Sequence, residues 1–229
     1  GIFLKLMGGI LEHIDPDLVG NRTHVAVSEV SGRSSLIQKA AEFDIALDRD
    51  SAEARKILER IKELENEGYE FEGADASLEL IMRKATGSHR RFFRVNSFNV
   101  YVNQLTHDQP ILSEAVVRLD DLPDAGSRSV WSEGHGPVDA LNLALRKALE
   151  DIYPEIRDVH LTDYKVRIVD GRSATQAVTR VLIESSDSEG TKWNTVGVSE
   201  NIITASYLAL IDSIEYQLLR TRGMHEEAT

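Results

Sequence analysis

One pattern occurs twice in the second half of this 229-residue sequence, and it restricts the possible folds more than any other feature. Residues 129–150 combine the end of a strand-like segment, the glycines Gly134 and Gly136, and Pro137 at the start of a run whose apolar residues lie three or four apart. These features predict a strand, a tight loop and a helix. Residues 191–220 repeat the same order. An internal repeat of this kind predicts two similar structural units.

Both predicted helices carry one apolar face. The first face consists of Val138, Leu141, Leu145, Leu149 and Ile152, and the second of Ile203, Tyr207, Leu210, Ile214 and Leu218. Ser199 is the predicted N-cap of the second helix, since its hydroxyl can accept a hydrogen bond from a first-turn amide. The two tryptophans of the chain, Trp131 and Trp193, are predicted to occupy matching positions in the two copies.

Each helix is preceded by three segments in which apolar and polar residues alternate, which is typical of strands. In the first unit they cover 98–102, 111–119 and 127–132, and in the second 164–168, 177–184 and 192–196. The predicted fold class is therefore α+β, with two strand–strand–strand–helix (βββα) units at 92–153 and 159–220 in a domain over 92–222. Each unit needs a partner for its helix-bearing face, which the other unit or a second copy of the chain supplies.

The first part of the chain has a different, helical pattern. Helices are predicted at 34–43, at 51–68 and at 74–85, the second capped by Asp50 or Ser51. Gly68 and Gly87 are predicted to end the second and third helices. Residues 21–87 are therefore predicted to form a small helical subdomain, whereas residues 1–20 show no clear periodicity.

Composition excludes several classes of function. A net charge of −12 argues against a nucleic-acid-binding surface. The absence of cysteine excludes disulfides, thiol catalysis and cysteine-ligated zinc. No apolar run approaches the ~20 residues of a membrane-spanning helix, so a protein without membrane contact, located in the cytoplasm, is expected.

Several segments resemble one enzyme family. They are GHGPVDAL at 134–141, DYKVRIVDG at 163–171, VLIESSD at 181–187, the stretch WNTVGVSENIITASYLALIDSIEYQLLR at 193–220, and the N-terminal EGYEFEGADASLEL and HIDPDLVGNR. Together they resemble the C-terminal linker and regulatory domain of the 2-isopropylmalate synthase and citramalate synthase family, closer to the citramalate synthase branch. The resemblance implies a linker subdomain followed by a regulatory domain of two βββα units. That domain forms a homodimer and binds the end-product amino acid, L-isoleucine or L-leucine, for feedback inhibition.

The resemblance also implies that the catalytic part lies elsewhere. In the family an N-terminal barrel uses acetyl-CoA and a divalent metal, and no segment of this chain resembles that barrel. Residues 1–20 are interpreted as the remnant of the linker region after the missing barrel, because Gly8-Gly9-Ile10 runs directly into Leu11-Glu12-His13. No catalytic residue, metal ligand or cofactor site is therefore expected here, and the chain alone is expected to be inactive.

The first candidate site is the predicted loop between the third strand and the first repeat helix. A helix N-terminus offers free N–H groups and a partial positive charge, which suit the carboxylate of a free amino acid. From the residues alone, a turn that merely starts a helix is the simpler interpretation. The resemblance favours the effector site instead. The implied effector-binding residues here are Gly134, His135, Gly136, Pro137 and Asp139.

Two further candidates for effector binding can also be explained by a purely structural role. The turn containing Ser173, Ala174, Thr175 and Gln176 resembles a loop that faces the effector, but its composition also suits an exposed hairpin turn. Tyr164 is a candidate for the pocket wall or simply a core tyrosine. At the level of the whole chain, a constitutive dimerisation module without a ligand stays open. An independent small enzyme also stays open, although no nucleophile with a positioned base argues for it.

Overall fold

The computed structural model describes residues 32–104, 108, 110–122, 126–170 and 177–223. The helices are α1 (Gly32–Glu42), α2 (Ala52–Glu67), α3 (Asp75–Thr86), α4 (Pro137–Leu149) and α5 (Ile202–Leu218), with a short 3-10 helix at Pro154–Asp158 and a π-helical turn at Leu219–Gly223. The strands are β1 (Arg94–Asn103), β2 (Leu112–Leu122), β3 (Gly126–Gly134), β4 (His160–Asp170), β5 (Val178–Ser186) and β6 (Lys192–Ser199). The predicted α+β class with two βββα units is confirmed.

The helical region (residues 32–87) begins and ends its helices where the sequence indicated. The Ser51 hydroxyl accepts a hydrogen bond from the Ala54 amide at 3.0 Å and caps α2. Gly68 and Gly87 end α2 and α3 with φ values of 106° and 73°, which side chains disfavour and glycine adopts freely.

The two sheets have the same antiparallel order, β1-β2-β3 and β4-β5-β6. In the first sheet Phe98 pairs with Val117 and Val117 with Val130. In the second, Tyr164 pairs with Ile183 and Ile183 with Thr195. Both rows lie on the helix-facing side of their sheets, where Val117 and Ile183 are buried in the core and the Thr195 hydroxyl donates to the Ala209 carbonyl of α5.

Helices α4 and α5 lie between the two sheets. α4 packs on β2 and β3, α5 packs on β5 and β6, and the two helices contact each other. Phe98 of β1 stacks on Tyr207 of α5 with ring centroids 4.5 Å apart, so α5 touches both sheets. Because both units contribute to one hydrophobic core, each supplies the partner surface that the other lacks.

The outer faces of the two sheets differ. On the second sheet Val196 and Val198 are buried in a cluster with residues of the helical region such as Ile57 and Leu64. On the first sheet Trp131, which lies on the outer face of β3, is 47% exposed. The helical region therefore covers one of two equivalent faces.

Two predictions about the second unit are wrong. Trp193 does not correspond to Trp131, because it faces the helices, is 4% exposed and donates its indole N–H to Ser213 at 2.9 Å. The N-cap of α5 is Asn201, whose side-chain oxygen accepts hydrogen bonds from the two amides that follow Ile202. Ser199 instead accepts a hydrogen bond from the Asn201 amide at 3.1 Å, one step before the helix.

Candidate functional site

The glycine loop (residues 134–139) connects β3 to α4 at very short range. A Cβ atom on Gly134 would lie 2.3 Å from the amide nitrogen of Ala140, so only glycine fits at this crossing. Gly136 has open space around it and extended backbone angles; its carbonyl accepts the first helical hydrogen bond, from Ala140, at 2.9 Å. Packing therefore requires glycine at the first position, and it does not explain glycine at the second.

The N-terminus of α4 offers donors to a ligand. No side chain caps this helix, and Pro137 at its first position has no N–H. The amides of Val138 and Asp139 are thus the first-turn donors, at the positive end of the helix dipole. The side chain of His135 is fully exposed beside them. Such an end can bind a carboxylate.

Asp139 folds back onto the loop. Its Oδ2 accepts the amide hydrogen of His135 at 2.9 Å and lies 3.4 Å from the Nδ1 atom of the same residue. The carboxylate therefore stabilises the loop and places a negative charge beside the open helix end. The loop thus presents both charges that a zwitterionic amino acid requires.

Tyr164 lies on the helix-facing side of β4, in the second unit. Its hydroxyl and the hydroxyl of Ser206 are 2.8 Å apart, and Ser206 in turn donates to the carbonyl of Ile202 at 2.6 Å. Tyr164 is therefore fixed to the first turn of α5. The chain brings the five predicted residues of the glycine loop together, whereas Tyr164 belongs to a different strand. Ser173, Ala174, Thr175 and Gln176 lie outside the described residues.

The same side of β4 continues as an apolar surface open to solvent. Val166 is 42% and Ile168 67% exposed, although the alternation of the strand directs both toward the helix layer. The corresponding face of β1 is covered at Phe98, which packs against Tyr207, but it is also open at Val102, which is 55% exposed. The alternating sequence predicted which face these residues share, but it did not show that the face stays open.

Sequence reasoning missed a buried polar contact between α3 and α5. Asp212 accepts a hydrogen bond from the Ser77 hydroxyl at 2.6 Å, and that hydroxyl accepts one from the Val196 amide at 3.0 Å. Burial raises the pKa of Asp212 to about 6, against the charge of Lys84 and the Ser77 hydrogen bond. The acid within the apolar run of α5 was the only signal of this contact in the sequence.

Glu215 lies one turn further along α5, and its pKa changes in the opposite direction. Burial disfavours its charge, but His89, whose Nε2 lies 3.4 Å from the carboxylate, and the charge of Lys84 outweigh burial and lower its pKa. The Lys84 ammonium is 2.8 Å from its carboxylate. The two acids thus join the helical region to the second unit. Among the residues that the structure describes, no group of three or more His, Asp or Glu could hold a metal ion.

The fold is a domain of two βββα units, and comparison with known proteins identifies its family. Residues 72–218 match the model of the LeuA allosteric (dimerisation) domain. The chain belongs to this family, as a regulatory domain of the citramalate synthase branch. The family description also indicates that the chain associates with itself.

Three relatives show the extent of the similarity. The chain is 51% identical over 209 residues to (R)-citramalate synthase of Geobacter sulfurreducens, 49% over 215 residues to that of Synechocystis sp., and 47% over 209 residues to that of Aquifex aeolicus. The alignments include 90–93% of this chain but 39% of each relative. The chain thus spans about two fifths of the length of the relatives it matches. None of the described helices is both long enough and apolar enough to cross a bilayer.

Proposed function

We propose that this chain is the effector-sensing, homodimeric part of an acetyl-CoA-dependent 2-alkylmalate synthase of the cytoplasm. It binds a branched-chain amino acid, L-isoleucine in preference to L-leucine, and binding inhibits the parent enzyme. Acetyl-CoA and a divalent metal belong to the catalytic part of that enzyme. The names of the relatives, (R)-citramalate synthases, support this choice of parent reaction.

The glycine loop supports amino-acid binding by its charges. The first-turn amides of α4 suit the ligand carboxylate, because they are uncapped and lie at the positive helix end. Asp139 suits the ammonium, since its carboxylate already lies against the loop. The aliphatic side chain needs an apolar wall, and we assign this to Tyr164 with Val166 and Ile168 of β4.

The observation that carries the proposal is the open apolar side of β4. Ile168 and Val166 form part of a helix-facing surface that the described chain leaves exposed. Burying it removes apolar area from water, which favours both a ligand side chain and a second copy of the chain. A binding site at such a junction explains inhibition, because a ligand that prefers one dimer arrangement shifts the population of the parent toward it.

The open apolar side of β4 is also consistent with a second function, that of a constitutive dimerisation module without a ligand. In that function the partner chain alone covers Val166 and Ile168. The open end of α4 favours the effector hypothesis, because a purely structural helix gains stability from a capping side chain at the position where this chain has Gly136.

Calorimetric titration of the chain with L-isoleucine tests the proposal. Asp139→Ala is expected to weaken binding about tenfold or more, because it removes a charged partner of the ammonium. Glu53→Ala is the matched control, since Glu53 is also a first-turn acid but lies on α2; it should leave binding unchanged. If neither isoleucine nor leucine gave a measurable heat of binding, the result would favour a dimerisation module without a ligand.

A further inference from the structure

A charged cleft lies on the outer face of the second sheet, between strands β4 and β5 and the turn after α2. It has a volume of about 340 Å³. Its lining residues are Glu70, Glu72, Lys165, Arg167, Arg180 and Leu182. This volume is in the range of sites that hold small metabolites, roughly 300–1,000 Å³.

The cleft follows from strand alternation. Tyr164 faces the helices, so Lys165 and Arg167 face outward, where they pair with Leu182 and Arg180 of β5. The wall opposite β4 is the turn after α2, which contains Glu70 and Glu72. Arg180 holds that turn in place by donating to the Gly68 carbonyl at 2.7 Å and by pairing with Glu70.

The charges in the cleft are incompletely paired. Arg167 and Arg180 stand directly opposite each other across the strands, an unfavourable arrangement for like charges. Glu70 neutralises Arg180, and Asp163 neutralises Lys165 at 2.5 Å. Within the described ranges, Arg167 has no acidic partner and Glu72 on the facing wall has no basic one. The cleft thus holds one uncompensated charge of each sign above the apolar Leu182.

We propose that this cleft binds a free α-amino acid. Arg167 binds the carboxylate through paired N–H donors, Glu72 accepts from the ammonium, and the side chain lies on Leu182. A dicarboxylate would meet the negative charge of Glu72, and an amine without a carboxylate would leave Arg167 uncompensated. A zwitterion is the ligand class that satisfies both.

This site is separate from the effector site proposed at the glycine loop. Lys165 and Arg167 lie on the opposite face of β4 from Tyr164. Its ligand would also connect the turn at Glu72, in the helical region, with a strand of the sheets. Occupancy would therefore strengthen the attachment of the helical region to the second unit.

Amide NMR spectra of the full chain, titrated with L-leucine and L-isoleucine, test the proposal. We expect the signals of Glu72, Lys165 and Arg167 to shift with ligand. Shifts confined to His135 and Asp139 would overturn this inference and leave the glycine-loop proposal intact. Shifts confined to the cleft would support the inference while refuting the glycine-loop site.

Variants and ligand analogues identify the contacts. Arg167→Gln and Glu72→Gln are each expected to weaken binding at the cleft about tenfold, the usual effect of losing a charged hydrogen bond. Arg118→Gln is the matched control, because Arg118 is an exposed arginine of the middle strand of the first sheet. L-leucinamide and 4-methylpentanoate each lack one charge, so both should bind about tenfold more weakly. Equal loss with Arg118→Gln, or unchanged binding of either analogue, would overturn the proposal.

Discussion

The two βββα units share a core and a strand order, yet their outer faces have opposite surroundings. The helical region packs over Val196 and Val198 of the second sheet. On the first sheet Trp131 and Tyr101 remain about half exposed. The duplicated pattern thus specifies the layer that the repeats share, but it does not specify how their outer surfaces are covered.

The helix-facing surfaces of the two first strands are covered to different extents along their length. In the first unit Phe98 is covered by Tyr207 of α5, whereas Val102 is 55% exposed. In the second unit both Val166 and Ile168 stay open beyond Tyr164. The longer open surface is therefore in the second unit, on the strand that we assign to ligand and partner binding.

The largest difference is expected from equivalent substitutions on the two outer faces. Val196→Asp places a carboxylate under the helical region without a partner and should destabilise the fold by about 4 kcal/mol or more. Trp131→Asp, on the outer face of the first sheet, should cost only about 1 kcal/mol, because the site is half exposed. Urea denaturation followed by circular dichroism measures both. Similar losses for the two variants would contradict the difference between the faces.

The close crossing of the third strand and the helix should be equally sensitive in both units. A Cβ on Gly134 would meet the Ala140 backbone, and a Cβ on Gly197 would lie 2.1 Å from the Ala205 carbonyl oxygen. Each glycine-to-alanine change should therefore cost about 3 kcal/mol, as overpacking does. Gly136→Ala is the control in open space. If only one of the two positions tolerated alanine, the strand–helix crossings of the two units would not be equivalent.

Asp212, the buried acid of the second unit, predicts that the stability of the fold depends on pH. The folded pKa of Asp212, about 6, lies above its value of 3.8 in an unfolded chain. Folding therefore favours the protonated form, and this stabilisation is complete below pH 3.8 and is lost as pH rises through 6. Asp212→Asn should raise stability at pH 8 by about 2–3 kcal/mol and change it little at pH 4.

Denaturation curves at both pH values measure this effect. Glu215→Gln serves as the comparison, because His89 and Lys84 hold the pKa of Glu215 below its usual range. This variant should therefore lose stability at pH 8. A gain at pH 8 for both variants, or for neither, would show that the two acids do not differ as described.

The smallest effect concerns the helix ends. Asn201 caps α5, so Asn201→Ala should cost about 1 kcal/mol. Gly136→Asn supplies the missing cap to α4 and should gain a few tenths of a kcal/mol, roughly the difference between the two residue types at this position. Because the new side chain would occupy the first-turn amides, it should also weaken isoleucine binding. Unchanged binding would argue against a carboxylate at this helix end.

Much of the fold could be predicted from the sequence, because local signals and packing agree. The period of 3.6 and the residues Ser51, Gly68 and Gly87 located the helices α2 and α3, and the period of two located the strands. The repeat of a glycine loop before a helix gave the two units. The loop as a turn that starts a helix follows from the same local signals, whereas its proposal as a binding site depends on the family resemblance.

The remaining features depend on contacts between distant segments. The sequence around Trp193 resembles that around Trp131, yet register pairs with other strands decide which face each ring occupies. Asn201 replaced Ser199 as the cap because the strand extends to Ser199. Burial raises the pKa of Asp212, and helix α3, which packs against α5 and contacts Asp212 through Ser77, lies more than a hundred residues earlier. The cleft at Arg167 likewise needs the turn after α2.

A thermal melt of the chain with millimolar L-isoleucine, L-leucine, L-valine and D-isoleucine tests the sensing role most directly. A ligand that binds only the folded state at about 100 times its Kd adds roughly 2.7 kcal/mol of stability. We predict a higher Tm with L-isoleucine, a smaller increase with L-leucine and none with the D-isomer. Melts that coincide for all four amino acids would contradict the account and leave a dimerisation module that binds no effector.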